Sequence, residues 1–311
     1  MAPRKFNSGT KVKVEQMVTD RILAAIDSGT LSKWNAPWIS AGRPDQNLIS
    51  KRPYNGVNVL LTWIARVSKN YTSPYWLTYK QCASLGGQVR TGEKATIIVY
   101  FKKLKVQDKQ TGDDKFIPLL RYFSVFNTDQ CDGLEDKIPA DPKVADGFDP
   151  LDSCEEIIDG WKDSAPINYG GDSAFYNIKT DEVTLPKREQ FKSAEGFYST
   201  AFHELTHKTG HESRLNREFG KQFGNDPYAK EELVAELGAA FLCAHAGINN
   251  EDDSAGYIKH WRDKIAADPK LILWAASKAQ KATDLILGIE KNYDNDSETS
   301  DSETSDVVAV A

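Results

Sequence analysis

The chain has 311 residues, 40% of them hydrophobic and 27% charged, a composition that fits a globular protein with one large core or two ordinary ones. No apolar run approaches the roughly 20 residues that span a bilayer, and the start MAPRKFNSGTKVKVEQ carries no apolar stretch, so neither a membrane partner nor a secretory signal is expected. The net charge of −6 divides unevenly: residues 1–135 hold 20 Lys and Arg against 11 Asp and Glu, a net +9, and the remainder holds 19 against 34, a net −15. A basic half joined to an acidic half points to two domains, the basic one facing a polyanion, although solvated faces that merely differ in sign give the same count. Cys82, Cys131, Cys154 and Cys243 lie far apart and form no CxxC pair. That spacing favours a reducing, cytoplasmic setting over a disulfide framework or a cysteine zinc finger.

In chain order, residues 11–27 place Val14, Val18, Ile22 and Ile26 at helical spacing. A loop with Trp34 and Trp38 follows, and residues 55–66 read as a second, largely buried helix. TYKQCASLGG predicts a short helix capped by Thr78 and stopped at Gly86 and Gly87. Residues 96–106 and 117–127 read as two strands of an extended hairpin, which makes the first half α+β. The polar, acidic, Pro- and Gly-containing stretch 131–152 is the expected linker between domains at 8–130 and 153–292. Beyond it come a helix near 153–163, strands in AFYNI and EVTLP, and a helix from Ser193 to Thr209. Asp226 and Pro227 suit the start of another helix, running to about 246, and 254–291 reads as a further helical region. The repeat of DSETS within 293–311 predicts a disordered acidic tail.

The strongest chemical signal is HELTH at 203–207. Residues four apart share a helix face, so His203 and His207 can present both imidazoles to one metal, while Glu204 points to the adjacent side. There Glu204 is placed to take a proton from water made acidic by the metal. Phe197, Ala201 and Leu205 form the apolar stripe that anchors such a helix. A third ligand is needed. The zinc-peptidase class with a third histidine six residues after the second fails, because that position is Ser213. His211 serves only if the chain turns back sharply. Glu232 and Glu236 share one face of the next helix, and the glutamate-ligand class of zincins uses this pattern, the first acid binding metal and the second orienting a histidine. Glu232 is therefore expected as ligand and Glu236 as its outer support, with the reverse assignment open. A His₂Glu set accepts Zn²⁺, and also Mn²⁺ or Co²⁺. Cys243 is expected in the core, His245 and His260 as local structural residues, and EVTLP as either a strand along the cleft or an ordinary core strand. For an oxyanion, His211, Arg214 and Tyr228 are candidates.

The first half interleaves aromatic and basic residues, a pairing that suits single-stranded nucleic acid, whose bases stack while its phosphates are neutralised. Lys51, Arg52, Tyr54, Tyr71, Trp76, Lys80, Lys102 and Lys103 are the expected DNA contacts, with Trp63, Tyr100 and Phe126 assigned to the core.

RPYNGVNVLLTW, SPYWLTYKQCASLGGQVRTGEKA and YFSVFNTDQCDGL resemble the N-terminal domain of the ArdC-type antirestriction proteins, shared with TraC-type plasmid primases. AFYNIKTDEVTLPKREQF, HELTHKTGHESRLNRE and EELVAELGAAFL resemble the metallopeptidase-like domain that follows it in those proteins. The resemblance covers roughly residues 10–290. It implies a protein of a plasmid or phage that binds single-stranded DNA and protects incoming DNA from host restriction. It also implies a zincin fold with His203, His207 and Glu232 as ligands and Glu204 as base. Its partners are then single-stranded DNA and a protein substrate or host restriction enzyme. Two other functions fit the same residues: a DNA-binding protein whose metal only holds the fold, and a metallopeptidase acting on a soluble protein.

Overall fold

Apolar residues three and four apart along 14–27 become the buried stripe of the first helix, with Val14, Val18, Ile22 and Ala25 facing inward. The structure, a computed structural model, describes residues 13–30, 44–107, 114–139, 150–219, 226–248 and 254–290. Its first half comprises α1 (Val14–Asp27), β1 (Gln46–Asn47), α2 (Val57–Lys69), β2 (Tyr75–Thr78), α3 (Tyr79–Ser84), β3 (Gln88–Val89), β4 (Thr96–Gln107), β5 (Asp114–Asn127) and β6 (Cys131–Asp132). The second comprises α4 (Pro150–Gly160), β7 (Ile167–Tyr169), β8 (Phe175–Asn177), β9 (Glu182–Leu185), α5 (Ala194–Thr209), α6 (Asp226–Ala246), α7 (Ser254–Ala267) and α8 (Leu271–Ile286). Among the described residues no helix is long and apolar enough to cross a membrane. The expected tail at 293–311 lies outside them.

The main sheet has the order β1-β2-β5-β4, with β1 parallel to β2 and the other pairs antiparallel. Strand β2 was not foreseen. Its residues Tyr75, Trp76 and Leu77 are all buried, so the strand lacks the apolar–polar alternation that marks a half-exposed one. Thr78 caps α3 as expected: its hydroxyl accepts from Gln81 N while the Gln81 side chain accepts from Thr78 N. Asn58 of α2 covers the outer edge of β4 at Val99, donating to Val99 O (2.8 Å) and accepting from Val99 N (2.7 Å). The stretch 131–138, read as the start of a linker, is built into the fold instead: β6 pairs with β3, and Leu134 is buried. The smaller sheet has the order β7-β9-β8. The helical region expected over 254–291 divides into α7 and α8 at Asp268–Pro269, where proline cannot supply a helical N–H.

Helix α6 joins two cores. Leu233, Val234, Leu237 and Phe241 pack with Val18 and Ile22 of α1 and with Leu60 and Trp63 of α2. Ala239, Leu242, Cys243 and Ala246 pack with Phe197, Ala201, Phe202 and Leu205 of α5. The basic and acidic halves of the sequence thus share buried surface. Polar links cross between them too: Gly56 N donates to Gln280 Oε1 (2.9 Å) and Thr19 Oγ1 donates to Pro269 O (3.0 Å).

Candidate metal centre

Helix α5 begins at Ser193, whose hydroxyl accepts from Gly196 N (3.0 Å), and buries Phe197, Ala201 and Leu205 as the sequence stripe predicts. His203 and His207 therefore emerge one turn apart on one side. Helix α6 crosses α5 closely because position 238 is glycine: a Cβ there would lie 2.5 Å from Thr206 Cγ2. That approach brings the acidic turn of α6 against the two imidazoles.

The Nε2 atoms of His203 and His207 stand 3.1 Å apart. Each faces the Glu232 carboxylate, His203 Nε2 at 3.5 Å from Oε2 and His207 Nε2 at 3.5 Å from Oε1. One donor atom from each of the three residues falls within 4.8 Å of the other two, a cluster that could hold a metal ion. Both Nδ1 atoms are supported from outside. His203 Nδ1 lies 3.5 Å from Glu236 Oε1, and His207 Nδ1 lies 3.2 Å from Glu231 Oε1. Glu236 thus touches the outer nitrogen of His203, whereas Glu232 reaches both inner ones. Glu204 lies buried between the histidines on α5.

The electrostatics favour a cation. Burial opposes charge on the His203 imidazole, but the carboxylates of Glu232, Glu236 and Glu204 outweigh it and raise its pKa to about 9. Burial also works against the Glu232 carboxylate, yet a hydrogen bond with His203 and the nearby His207 hold it below the usual range. Tyr228 adds a hydrogen bond to the same carboxylate. For Glu231 burial is likewise outweighed, by hydrogen bonds from His207 and Arg217.

Two residues of this arrangement, Glu231 and Arg217, had no signal in the sequence. Glu231 looks like one more acid beside Glu232, and Arg217 comes from the irregular segment after α5. That segment turns back at Gly210, where a Cβ would meet the Phe219 ring at 2.7 Å, and Arg217 N donates to Gly210 O (2.8 Å). Arg214, a candidate oxyanion donor, is occupied: its guanidinium bonds Asp181 Oδ2 (2.9 Å) and Lys208 O (2.9 Å). His211 bonds Ser213 through Nδ1 (2.8 Å) and lies outside the three-residue cluster. Cys243 is core, as expected, and His245 is exposed near the end of α6. The His260 side chain lies outside the described residues. EVTLP forms β9, which is paired on both sides by β7 and β8, so its backbone has no open edge for a peptide; among the described residues the edges of this sheet are β7 and β8. The Tyr176 ring of β8 lies 6.0 Å from Phe219, which in turn lies 6.2 Å from His207.

The expected DNA contacts fare unevenly. Trp76 is 0% exposed, enclosed in β2, and is removed from the surface set. Tyr54 is half-buried, and burial pushes its hydroxyl pKa up. Tyr71 is half-buried with its ring edge-on to Trp76 at 6.2 Å. Lys51, Arg52 and Lys80 are exposed. Asn47 Nδ2 donates to Gln81 Oε1 (3.0 Å), so the turn carrying Lys51 and Arg52 lies beside the first turn of α3. Tyr79, at 58% exposure, projects from that turn and is the open aromatic face that the expected set lacked. Lys102 and Lys103 pair with Leu119 and Pro118 in the hairpin, and their side chains lie outside the described residues. Trp63 is buried, while Tyr100 and Phe126 are half-buried.

Residues 12–126 match the N-terminal domain of anti-restriction factor ArdC, and residues 153–278 match a zincin-like metallopeptidase. The crystal structure of the antirestriction ArdC protein from plasmid R388 in its metal-free form is 39% identical, with a TM-score of 0.72 over 89% of this chain and 98% of that one. Its Mn(II)-bound form is 38% identical, with a TM-score of 0.72 over 91% and 100%. A DNA primase TraC of Escherichia coli is 33% identical over 93% of this chain, and the uncharacterized protein y4eC of Sinorhizobium fredii is 34% identical over 88%. The chain spans 92% of y4eC but only 21% of that TraC primase.

Proposed function

This chain belongs to the ArdC-type antirestriction proteins, with a zincin-like domain in its second half, and from that premise we propose a metal-dependent protein of a plasmid or phage that binds single-stranded DNA and shields incoming DNA from host restriction in the cytoplasm. The observation that carries the reading is the convergence of His203, His207 and Glu232 within 4.8 Å, with Glu204 on the same helix. Two imidazoles and one carboxylate suit Zn²⁺, and equally Mn²⁺ or Co²⁺. The R388 relative was crystallised with Mn(II) bound.

A divalent cation in this donor set supplies Lewis-acid chemistry, making water acidic near neutral pH and polarising a carbonyl. Glu204 acts as general base, accepting the proton that water gives up on attacking a peptide carbonyl and delivering it to the leaving amine. Glu236 and Glu231 orient the two imidazoles from behind. The protein substrate is a host protein on or near the entering DNA. Exposed Lys51, Arg52 and Lys80 neutralise phosphates, and Tyr79 offers a face on which a base stacks.

The test combines metal analysis of the purified chain, single-stranded DNA binding across a salt series, and Glu204→Gln. We expect about one divalent ion per chain and DNA affinity that falls steeply with salt. Glu204→Gln should keep the metal and lower proteolysis of DNA-associated proteins by about 10²–10⁴-fold. If it leaves antirestriction intact, the metal is structural and the protein acts by binding alone.

A further inference from the structure

We propose that the buried Arg217–Glu231 pair is a positioning unit that fixes His207 with its proton on Nδ1 and its lone pair on Nε2, and so sets the affinity of the centre for a divalent cation. The inference rests on the reading of His203, His207 and Glu232 as the cation's donors.

The argument begins with the guanidinium. Arg217 Nη2 donates to Glu231 Oε1 (2.6 Å) and Nε donates to Oε2 (2.9 Å), a two-pronged contact in which both side chains are under 5% exposed. A carboxylate gripped in this way stays ionised, and an ionised carboxylate only accepts hydrogen bonds. His207 Nδ1, 3.2 Å from Glu231 Oε1, must therefore be the donor. A neutral imidazole carries one N–H, so the lone pair falls on Nε2, the nitrogen that faces Glu232 and His203.

The remaining contacts show what holds the guanidinium. Nη1 donates to Thr209 Oγ1 (2.7 Å) and Nη2 to Thr206 O (2.7 Å), both in the last turn of α5. Arg217 thus joins the end of the histidine helix to the acidic turn of α6 from a third segment. The pair is also neutral in sum. It orients His207 without adding net negative charge around the cation.

Breaking the pair by removing one partner leaves a buried charge, so the test removes both. Co(II) is titrated into the purified full chain, comparing wild type with the double substitution Arg217→Met, Glu231→Leu. We expect Co(II) affinity to fall by about 10–100-fold, with an altered visible Co(II) band, while the metal-free protein melts near the wild-type temperature. Unchanged Co(II) affinity, whatever the melting temperature, overturns the proposal and leaves the pair as a staple between α5 and α6. If the double variant does not fold, the ¹⁵N imidazole shifts of His207 in the metal-free wild-type chain decide: a proton on Nδ1 supports the proposal and a proton on Nε2 overturns it. A wild-type chain that takes up no Co(II) overturns the reading of the centre, and this proposal with it, a failure distinct from equal binding by wild type and variant.

Discussion

The candidate metal centre and the candidate basic face of the first half were both read from residue chemistry, and they differ in how directly the chain delivers that chemistry. On α5 and α6 the spacing of four converts into position, because helix geometry fixes which residues share a side. His203 and His207 meet at 3.1 Å between Nε2 atoms, and Glu232 faces both. On the basic face, aromatic content did not convert into exposure. Tyr75 and Trp76 sit in a strand flanked by β1 and β5 and packed on both faces, and burying large aromatic area is the most favourable use of such residues. Spacing is a local property that secondary structure carries through intact. Exposure is a global one, decided by what packs against the element.

Substitutions that separate packing from contact can break this comparison. The largest effect is expected for Trp76→Ala, which should cost about 3–5 kcal/mol in urea unfolding, as an aromatic lost from a core does. A variant of wild-type stability that has lost DNA affinity would return Trp76 to the interface. Gly238→Ala comes next. With Thr206 only 2.5 Å from the added Cβ, α5 and α6 must separate, at about 1–3 kcal/mol, and metal affinity should fall with stability. A stable variant with full metal content would show that the close crossing does not shape the centre. Tyr79→Ala should leave stability within about 0.5 kcal/mol. It should weaken single-stranded DNA binding by about 1–3 kcal/mol, read by fluorescence anisotropy. The smallest change is expected for Lys51→Ala or Lys80→Ala, each lowering the slope of log K against log salt by about 0.7. Slopes that stay at the wild-type value would move the DNA path away from this turn.

The sequence by itself determined the features that depend on neighbours along the chain. Thr78 and Ser193 cap their helices because a short hydroxyl side chain reaches the N–H groups of the next turn wherever the helix lies. The HELTH pair and the Glu232–Glu236 spacing follow from helical periodicity in the same way, and the ArdC-type family was legible in the order of its motifs. Tertiary structure alone decided the rest. It gave Glu232 the inner position and Glu236 the outer one, which identical side chains on one helix face cannot distinguish. It brought Arg217 onto Glu231, 14 positions further along the chain, and put β9, rather than β8, in the middle of its sheet. It also packed α6 against helices of both halves, where the sequence showed only a change in the sign of charge. These outcomes depend on which surfaces meet. That choice is settled by the burial of whole faces and the pairing of every enclosed polar group, quantities no local pattern contains.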